Sequence, residues 1–275
     1  MGNVFYSPGE QRAAKVNELF AAIAPRYDLV NDLQSFGLHR YWKRRVLASA
    51  APQPGERALD LCCGTGDLAF ALAARGAEVV GLDFSAPMLA VAVRKSSAVA
   101  PAKAPRFLQG DALHVPFPDA SFDIVTVGYG LRNLASWEAG LTEMVRVARP
   151  GARLLVLDFG KPDNALWRAG YFSYLRLFVP LLGLVVCRNA RAYAYILESL
   201  QHYPAQRGVA TWMSEQGLTK VRVQNFIGGA MSLNYGVKDG EKPINPPRPE
   251  IRPPILNLIA NEKALRSESR GEFPG

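Results

Sequence analysis

Strands and helices alternate along the chain between Glu56 and Lys161, and this rhythm constrains the fold more than any other feature of the sequence. Short apolar runs such as "RALDLC" and "FDIVTVGY" are separated by stretches with helical spacing, such as "SWEAGLTEMVRVA". Strands separated by helices of this length indicate a parallel sheet with helices on both faces. Two later runs, "KVRVQNF" and "SLNYGVK", are joined by a short glycine turn and are expected to pair antiparallel. The predicted fold is therefore α/β, with a mostly parallel, doubly wound sheet that ends in an antiparallel strand.

The segments around this region divide the chain into three predicted parts. Residues 1–50 have helical spacing, with Pro25 expected to end the first helix, and are predicted to form an N-terminal helical cap. Residues 51–238 are the main domain, in which residues 162–203 form an apolar, aromatic helical insertion. Residues 239–275 are rich in proline, so a loosely ordered tail is expected.

Charge and cysteine content narrow the class of protein. The formal net charge of +8 favours an anionic partner such as a nucleic acid, an acidic membrane face or an acidic substrate. The three cysteines form no CxxC pair, so neither a metal site nor a disulfide framework is expected, and a cytoplasmic location fits. The longest apolar run, Leu177 to Cys187, is shorter than the roughly 20 residues that span a bilayer, and Pro180 interrupts it.

A glycine-rich turn follows the first predicted strand. Gly64 and Gly66 would let the backbone approach a nucleotide closely at the start of a helix. The spacing to Ala69 also fits a dinucleotide fingerprint, with Asp83 at the end of the second strand to hold a ribose. A dehydrogenase is therefore one interpretation of this turn.

Three features favour S-adenosylmethionine instead. Asp60, four residues before Gly64, is placed to meet an ammonium group, which a dinucleotide does not offer. Asp111 ends the third strand, where a carboxylate can accept a hydrogen bond from the adenine amine. The antiparallel final strands are the third feature, and no Tyr-x-x-x-Lys pair supports a dehydrogenase. Acids that end three successive strands meet at the carboxyl edge of the sheet, where ligands bind.

Longer sequence blocks make a more specific comparison possible. "YDLVNDLQSFGLHRYWKR" (Tyr27 to Arg44), "PFPDASFD", "GYGLRN" and "RVARPGARLLVLDFGKP" follow one another in this order, and "ESLQHYP" and "GGAMSLNYGVK" come later. With these blocks the chain resembles the ubiquinone/menaquinone C-methyltransferases of quinone biosynthesis, including the phylloquinone enzymes. The resemblance covers roughly residues 12 to 238.

The resemblance implies a fold, a cofactor and a substrate class. The fold is the seven-stranded class I methyltransferase sheet, the cofactor is S-adenosylmethionine, and the substrate is a polyprenylated hydroquinone that is methylated on a ring carbon. Besides Asp60 and the glycine turn, the implied cofactor contacts fall on Thr65, Asp83, Asp111 and Ala112. At Gly128 the sequence departs from the family, because many members have serine there; only backbone groups remain to contact the cofactor.

The reaction requires groups that ionise the hydroquinone and remove a ring proton. Arg132 is the candidate that stabilises the oxyanion, with a surface ion pair to an acid such as Glu138 as the alternative role. Asn133 is expected to hold a quinol oxygen, and Tyr129 or His202 to take the proton. His39 and His114 are left as structural residues.

The substrate side of the site is expected to lie under a lid. Tyr27 and Asp28 are predicted to form part of that lid over the substrate. Because the substrate carries an isoprenoid tail, residues 166–187 and the basic segment from Arg40 to Arg45 are predicted to contact the membrane peripherally.

Several alternatives stay open from the sequence. Demethylmenaquinol is the preferred ring, with a benzoquinol or a phytyl-naphthoquinol as alternatives. A nucleic-acid methyltransferase is a more distant one, because "NPPR" (Asn245 to Arg248) imitates an amino-methylase signature at the wrong position; no nucleic-acid partner is expected. A cofactor-binding module without catalysis and a homodimer are also left open.

Overall fold

A seven-stranded sheet forms the centre of the protein. The computed structural model describes residues 10–100, 103–187 and 191–240, with side chains from residue 15 in the first range and from residue 195 in the third. The strand order is β3-β2-β1-β4-β5-β7-β6. The strands are β1 (Arg57–Leu61), β2 (Glu78–Asp83), β3 (Arg106–Gln109), β4 (Phe122–Gly128), β5 (Ala148–Phe159), β6 (Thr219–Phe226) and β7 (Met231–Val237).

Nine helices surround the sheet in the described ranges. They are α1 (Glu10–Ile23), α2 (Tyr27–Gln34), α3 (Leu38–Ala50), α4 (Asp67–Ala73), α5 (Ala86–Ser96), α6 (Trp137–Val147), α7 (Ala165–Cys187), α8 (Arg191–His202) and α9 (Ala205–Glu215).

Strand pairing confirms the predicted fold class. β1 to β5 run parallel to one another, and β7 runs antiparallel to both β5 and β6. The central strands are almost wholly buried, which explains why they appear in the sequence as continuous apolar runs. This is the class I methyltransferase arrangement, and its carboxyl edge carries the ends of β1, β2, β3 and β4.

The N-terminal segment is helical, as expected, but is divided into three helices. α1 ends at Ile23, and the next residues, Ala24–Arg26, make a 3₁₀ turn that contains Pro25. α2 packs beside α7, where the Tyr174 hydroxyl donates to the carbonyl oxygen of Gln34 at 2.6 Å. The cap and the insertion therefore meet over the carboxyl edge of the sheet.

One local expectation is wrong. Pro180 does not interrupt the apolar segment: α7 runs from Ala165 to Cys187, 23 residues in all, with Pro180 inside it. By length and composition alone, the segment Ala165–Val186 could cross a membrane. Only 22% of its apolar 18-residue stretch is buried within the protein.

The C-terminal tail and its "NPPR" sequence lie, from residue 241 onward, outside the described residues. The division of the chain into a cap, a main domain and a tail stays a prediction.

Candidate active site

Two neighbouring cavities open at the carboxyl edge of the sheet. The smaller one, about 120 Å³, is bordered by the glycine turn and the ends of three strands. The larger one, about 470 Å³, lies between the cap helices and α7. Of the residues predicted to bind the cofactor, five border the smaller cavity: Gly64, Asp83, Asp111, Ala112 and Gly128.

The glycine turn is held by its own geometry and by Asp83. Gly66 has a φ of +85°, and a Cβ there would come within 2.7 Å of the Phe107 ring, so only glycine fits. Asp83 accepts hydrogen bonds from the backbone N–H of Gly64 at 2.7 Å and of Ser85 at 2.8 Å. Burial raises the pKa of the Asp83 carboxyl above its usual value, although these backbone donors oppose the shift. Asp83 therefore shapes the turn as well as bordering the cavity.

Asp60 lies beneath the cavity rather than in its wall. It is buried, and one carboxylate oxygen accepts a hydrogen bond from the Thr126 hydroxyl at 2.7 Å, across the β1–β4 pair. Its other oxygen, Oδ2, is buried and accepts no hydrogen bond within 3.5 Å among the described residues, although the Ala69 backbone N–H is near enough to lower the pKa of the carboxyl. Burial raises the pKa of this carboxyl to about 7. A buried acid with one unsatisfied oxygen is suited to a cationic ligand group.

Thr65 is turned away from both cavities. Its hydroxyl donates to Asp28 at 2.7 Å, and the other oxygen of Asp28 is paired with Lys95 at 2.7 Å. Lys95 also contacts Asp67, which is paired with Lys43 at 2.6 Å. Asp28 therefore joins the cap to the glycine turn through this network, and it borders neither cavity.

Gly128 lies against the side chain of Leu68. A Cβ at position 128 would lie 2.7 Å from Cδ1 at the end of that side chain, so a serine there would require Leu68 to shift.

The larger cavity is lined mainly by aromatic and aliphatic side chains. Tyr27 and Tyr129, both predicted site residues, border the two cavities at once and so form the wall between them. Tyr129 has a φ of +62°, which is uncommon for a residue with a side chain and recurs at functional sites. Its hydroxyl is buried without a partner among the described residues. Burial raises the pKa of Tyr129 well above its usual value, so the hydroxyl stays protonated at neutral pH.

Arg132 is buried in the wall of the larger cavity. Its Nη1 donates to Asp158 at 2.6 Å and to the Tyr129 carbonyl oxygen at 2.6 Å, and its backbone N–H donates to Asp158 at 3.2 Å. The guanidinium also lies over the Phe159 ring, 4.5 Å from its centroid. The alternative ion pair with Glu138 is wrong, because the acid beside Arg132 is Asp158 at the end of β5.

The remaining predicted residues separate into one near the site and one far from it. The Asn133 side chain donates to the Tyr129 carbonyl oxygen at 3.1 Å, and the residue borders the smaller cavity, not the larger one where a quinol oxygen was expected. His202 is exposed at the C-terminal end of α8 and borders neither cavity, so its geometry does not favour a role with the substrate.

Sequence reasoning missed three residues of the larger cavity region. Asp158 and Phe159 end a strand inside a quoted family block, and their position at the carboxyl edge was a usable signal. His39 was left as structural, yet it is buried and borders the larger cavity. Its place in the first quoted block, Tyr27 to Arg44, was a sequence signal, although the periodicity of the segment gives no sign that it meets the cavity.

Comparison with known proteins agrees with this geometry. Residues 9–238 match the ubiE/COQ5 methyltransferase family. The chain belongs to this family. It is 39% identical to the demethylmenaquinone methyltransferase of Desulfitobacterium hafniense over 84% of this chain and 92% of that protein. It is 40% identical to the ubiquinone/menaquinone biosynthesis C-methyltransferase of Azotobacter vinelandii over 84% of this chain and 92% of that protein.

A solved structure shares the fold of this methyltransferase. The S-adenosylmethionine-dependent methyltransferase of Aquifex aeolicus superposes with a TM-score of 0.52 at 18% identity, covering 71% of this chain and 88% of that one. The methyl donor of the chain is S-adenosylmethionine. The residues of the smaller cavity could hold this donor, because the carboxylates of Asp83 and Asp111 border it and could accept hydrogen bonds from hydroxyl and amine groups, whereas Asp60 borders neither cavity.

Proposed function

We propose that this methyltransferase methylates a ring carbon of a polyprenylated hydroquinone, and that the hydroquinone is demethylmenaquinol. The observation that carries the proposal is the aromatic-lined cavity of about 470 Å³ that shares Tyr27 and Tyr129 with the donor cavity and has a buried arginine in its wall. A flat, apolar ring with an ionisable hydroxyl is complementary to that lining. The names of the two relatives point to the same substrate class.

The chain's own residues have defined tasks in this reaction. The donor supplies an activated methyl group, so the protein must orient the ring, exclude water and favour the ionised quinol. Arg132 stays protonated at all relevant pH values and stabilises the quinol oxyanion, while Asp158 and the Tyr129 carbonyl hold its guanidinium in place. Tyr129 keeps its proton and donates toward the ring or the donor from the shared wall.

The test is the quinone content of cells that lack this protein. Accumulation of demethylmenaquinone, reversed by the intact gene, is expected. Accumulation of an unmethylated benzoquinone or phytyl-naphthoquinone precursor would identify one of the other rings. An unchanged quinone profile would contradict quinone methylation altogether.

We also propose that the protein works in the cytoplasm and contacts the membrane peripherally through α7. The large side chains exposed on its C-terminal half are Leu177, Phe178, Leu181, Leu184 and Val185. Phe178 stacks on Tyr174, which lines the larger cavity, so this apolar surface adjoins the cavity mouth. A prenyl tail would then pass from lipid into the cavity without crossing water.

The basic segment contributes less to this contact than its sequence indicates. Lys43 is paired with Asp67, Arg40 is paired with Asp32, and Trp42 is buried. Arg44 stays exposed, so the cluster of four positive charges is not available as a unit.

Vesicle flotation tests the contact. Leu181→Glu combined with Val185→Glu should abolish recovery with phospholipid vesicles, because two charges would enter the apolar surface. Val223→Glu on β6 is the matched control and should float like the wild type. Equal recovery of the double variant would contradict the role of α7. A homodimer stays a prediction that this surface neither requires nor forbids.

A further inference from the structure

Polar side chains interrupt the apolar wall of the larger cavity where α2 meets α3. Ser35 and His39 border the cavity, and Asp32, which is outside its lining, lies close to the His39 ring. We propose that Nε2 of His39 is the base that accepts the proton released from the quinol during methylation, with Ser35 and Asp32 as its positioning residues. This proposal rests on the proposed function.

The hydrogen bonds around Ser35 determine which imidazole nitrogen is basic. The Ser35 hydroxyl donates its single proton to the Asn31 carbonyl oxygen at 2.6 Å. Its oxygen lies 3.0 Å from Nδ1 of His39 and also accepts the His39 backbone N–H at 3.3 Å. With that proton directed to Asn31, the Ser35 oxygen can accept a hydrogen bond from Nδ1, and we assign the proton of the neutral ring to Nδ1 and its lone pair to Nε2.

Asp32 is placed to stabilise the ring after protonation. Its carboxylate lies 3.6 Å from Nε2, beyond hydrogen-bond distance but within the range of an ion pair. Arg40 holds the other oxygen of Asp32 at 2.6 Å, which fixes the carboxylate in this position. A proton arriving at Nε2 would create a buried imidazolium–carboxylate pair in which Ser35 and Asp32 both accept.

The charges that face His39 keep it neutral before the reaction. Burial lowers its pKa below 6.5, and Lys43 and Arg40 lower it further, while Asp32 and Asp67 raise it. At neutral pH the ring is therefore unprotonated at Nε2 and able to accept a proton. Activity that depends on this base should fall as the pH decreases through its pKa.

Other groups near the cavity are poorer bases. Arg132 remains protonated because Asp158 raises its pKa. Tyr27 and Tyr129 also keep their protons, since burial raises the pKa of each, to about 12 for Tyr27. His39 lines the same cavity as Tyr27 and Tyr129, which form its wall toward the smaller cavity.

Two protons move in the step. The quinol hydroxyl first releases its proton to solvent, which leaves the oxyanion beside Arg132. A carbon–carbon bond then forms between the methyl group and the ring as the methyl–sulfur bond breaks, the sulfur keeps the electrons of that bond, and the ring becomes a dienone. Nε2 of His39 takes the hydrogen of the substituted ring carbon as a proton, directly or through one water, and later returns it to solvent. The electrons of that C–H bond restore the aromatic ring and the oxyanion, which regains a proton from solvent.

The experiment compares His39→Asn with wild type in single-turnover methylation of a demethylmenaquinol analogue. Asparagine retains a donor near the position of Nδ1 but has no counterpart of Nε2. The rate should fall by about 10²-fold or more, and the acid limb of the wild-type pH profile, with a midpoint below 6.5, should disappear. Binding of S-adenosylhomocysteine and the melting temperature should change little. A rate within threefold of wild type, or a retained acid limb, would overturn the proposal.

A second readout does not depend on turnover. In protein labelled with ¹⁵N-histidine, the resonances lost in His39→Asn identify residue 39. At pH 7 they should show a protonated Nδ1 and an unprotonated Nε2. Protonation at Nε2 would overturn the proposal, because that nitrogen would then be a donor to Asp32. If wild type methylates no demethylated quinol at all, the proposed function is wrong. If wild type is active and His39→Asn is equally active, only the proposed role of His39 is wrong.

Discussion

The two cavities share a wall but are built in different ways. The smaller cavity, the proposed site of the methyl donor, is the donor cavity. It is formed by strand ends and a glycine turn, and its acids are fixed by short-range backbone hydrogen bonds such as those of Asp83. The larger cavity, the proposed site of the quinol, is the acceptor cavity. It is formed by helices from three distant segments, and its wall consists mainly of aromatic contacts such as the Tyr174–Phe178 stack. In the proposed assignment, a compact local motif recognises the cofactor, whereas elements added around the sheet recognise the substrate.

One network joins the two regions. Asp28 on α2 accepts a hydrogen bond from Thr65 in the glycine turn and is paired with Lys95 on α5. Tyr27, which precedes it, borders both cavities. Substitutions in the acceptor cavity should alter turnover more than cofactor affinity. Substitutions in the donor cavity should alter cofactor affinity more than turnover.

The largest effect is expected at Arg132. Arg132→Lys should lower turnover by about 10²-fold or more, since a single ammonium cannot hold Asp158, the Tyr129 carbonyl and a quinol oxyanion together. Affinity for S-adenosylhomocysteine should change little. Arg146→Lys is the matched control, because Arg146 has a comparable pair with Glu143 and borders neither cavity. Near-wild-type turnover in Arg132→Lys would show that Arg132 has no role in the methylation.

A loss of the opposite kind is expected at Asp83. Asp83→Ala should weaken cofactor binding by about 10- to 100-fold, because a ribose hydroxyl loses its acceptor and the Gly64 N–H loses its partner. The control is Asp123→Ala, which removes an acid that also accepts a backbone N–H, that of Arg57, at the other edge of the sheet. Calorimetry with S-adenosylhomocysteine measures both, and equal affinities would contradict the position of the donor site.

A smaller effect follows from the pKa of Asp60. Because burial raises that pKa to about 7, the carboxyl is partly protonated in the empty site, and an ammonium ligand favours its ionised form. Affinity for S-adenosylhomocysteine should therefore increase by about fivefold from pH 6 to pH 7, with release of a proton. In Asp60→Asn this pH dependence should vanish.

The same raised pKa also affects folding. In the ligand-free protein, Asp60 stabilises the folded state at low pH, and this contribution to the free energy of unfolding decreases as the pH rises through 7.

The difference between the two cavities also explains what the sequence could predict. The parallel sheet, the glycine turn and the acids at strand ends depend on local patterns, so Gly64, Asp83 and Asp111 were found from spacing. Asp158 could have been found in the same way, because it ends β5. The place of His39 in the cavity wall depends on how α2 and α3 pack over the sheet, and no local period records that packing. The apolar α7 was recognised as an insertion, but its exposed face and its continuity through Pro180 depend on tertiary contacts.

The most direct test of this account fills the acceptor cavity alone. Gly170 on α7 borders only that cavity, and a Cβ there would meet nothing within 4 Å, so Gly170→Phe adds bulk without a backbone clash. Ala169→Phe, at the neighbouring exposed position outside both cavities, is the control. Equilibrium binding to Gly170→Phe should show affinity for a demethylmenaquinone analogue reduced by about tenfold or more, with affinity for S-adenosylhomocysteine unchanged. Loss of cofactor affinity with quinone binding intact would contradict the assignment of the two cavities.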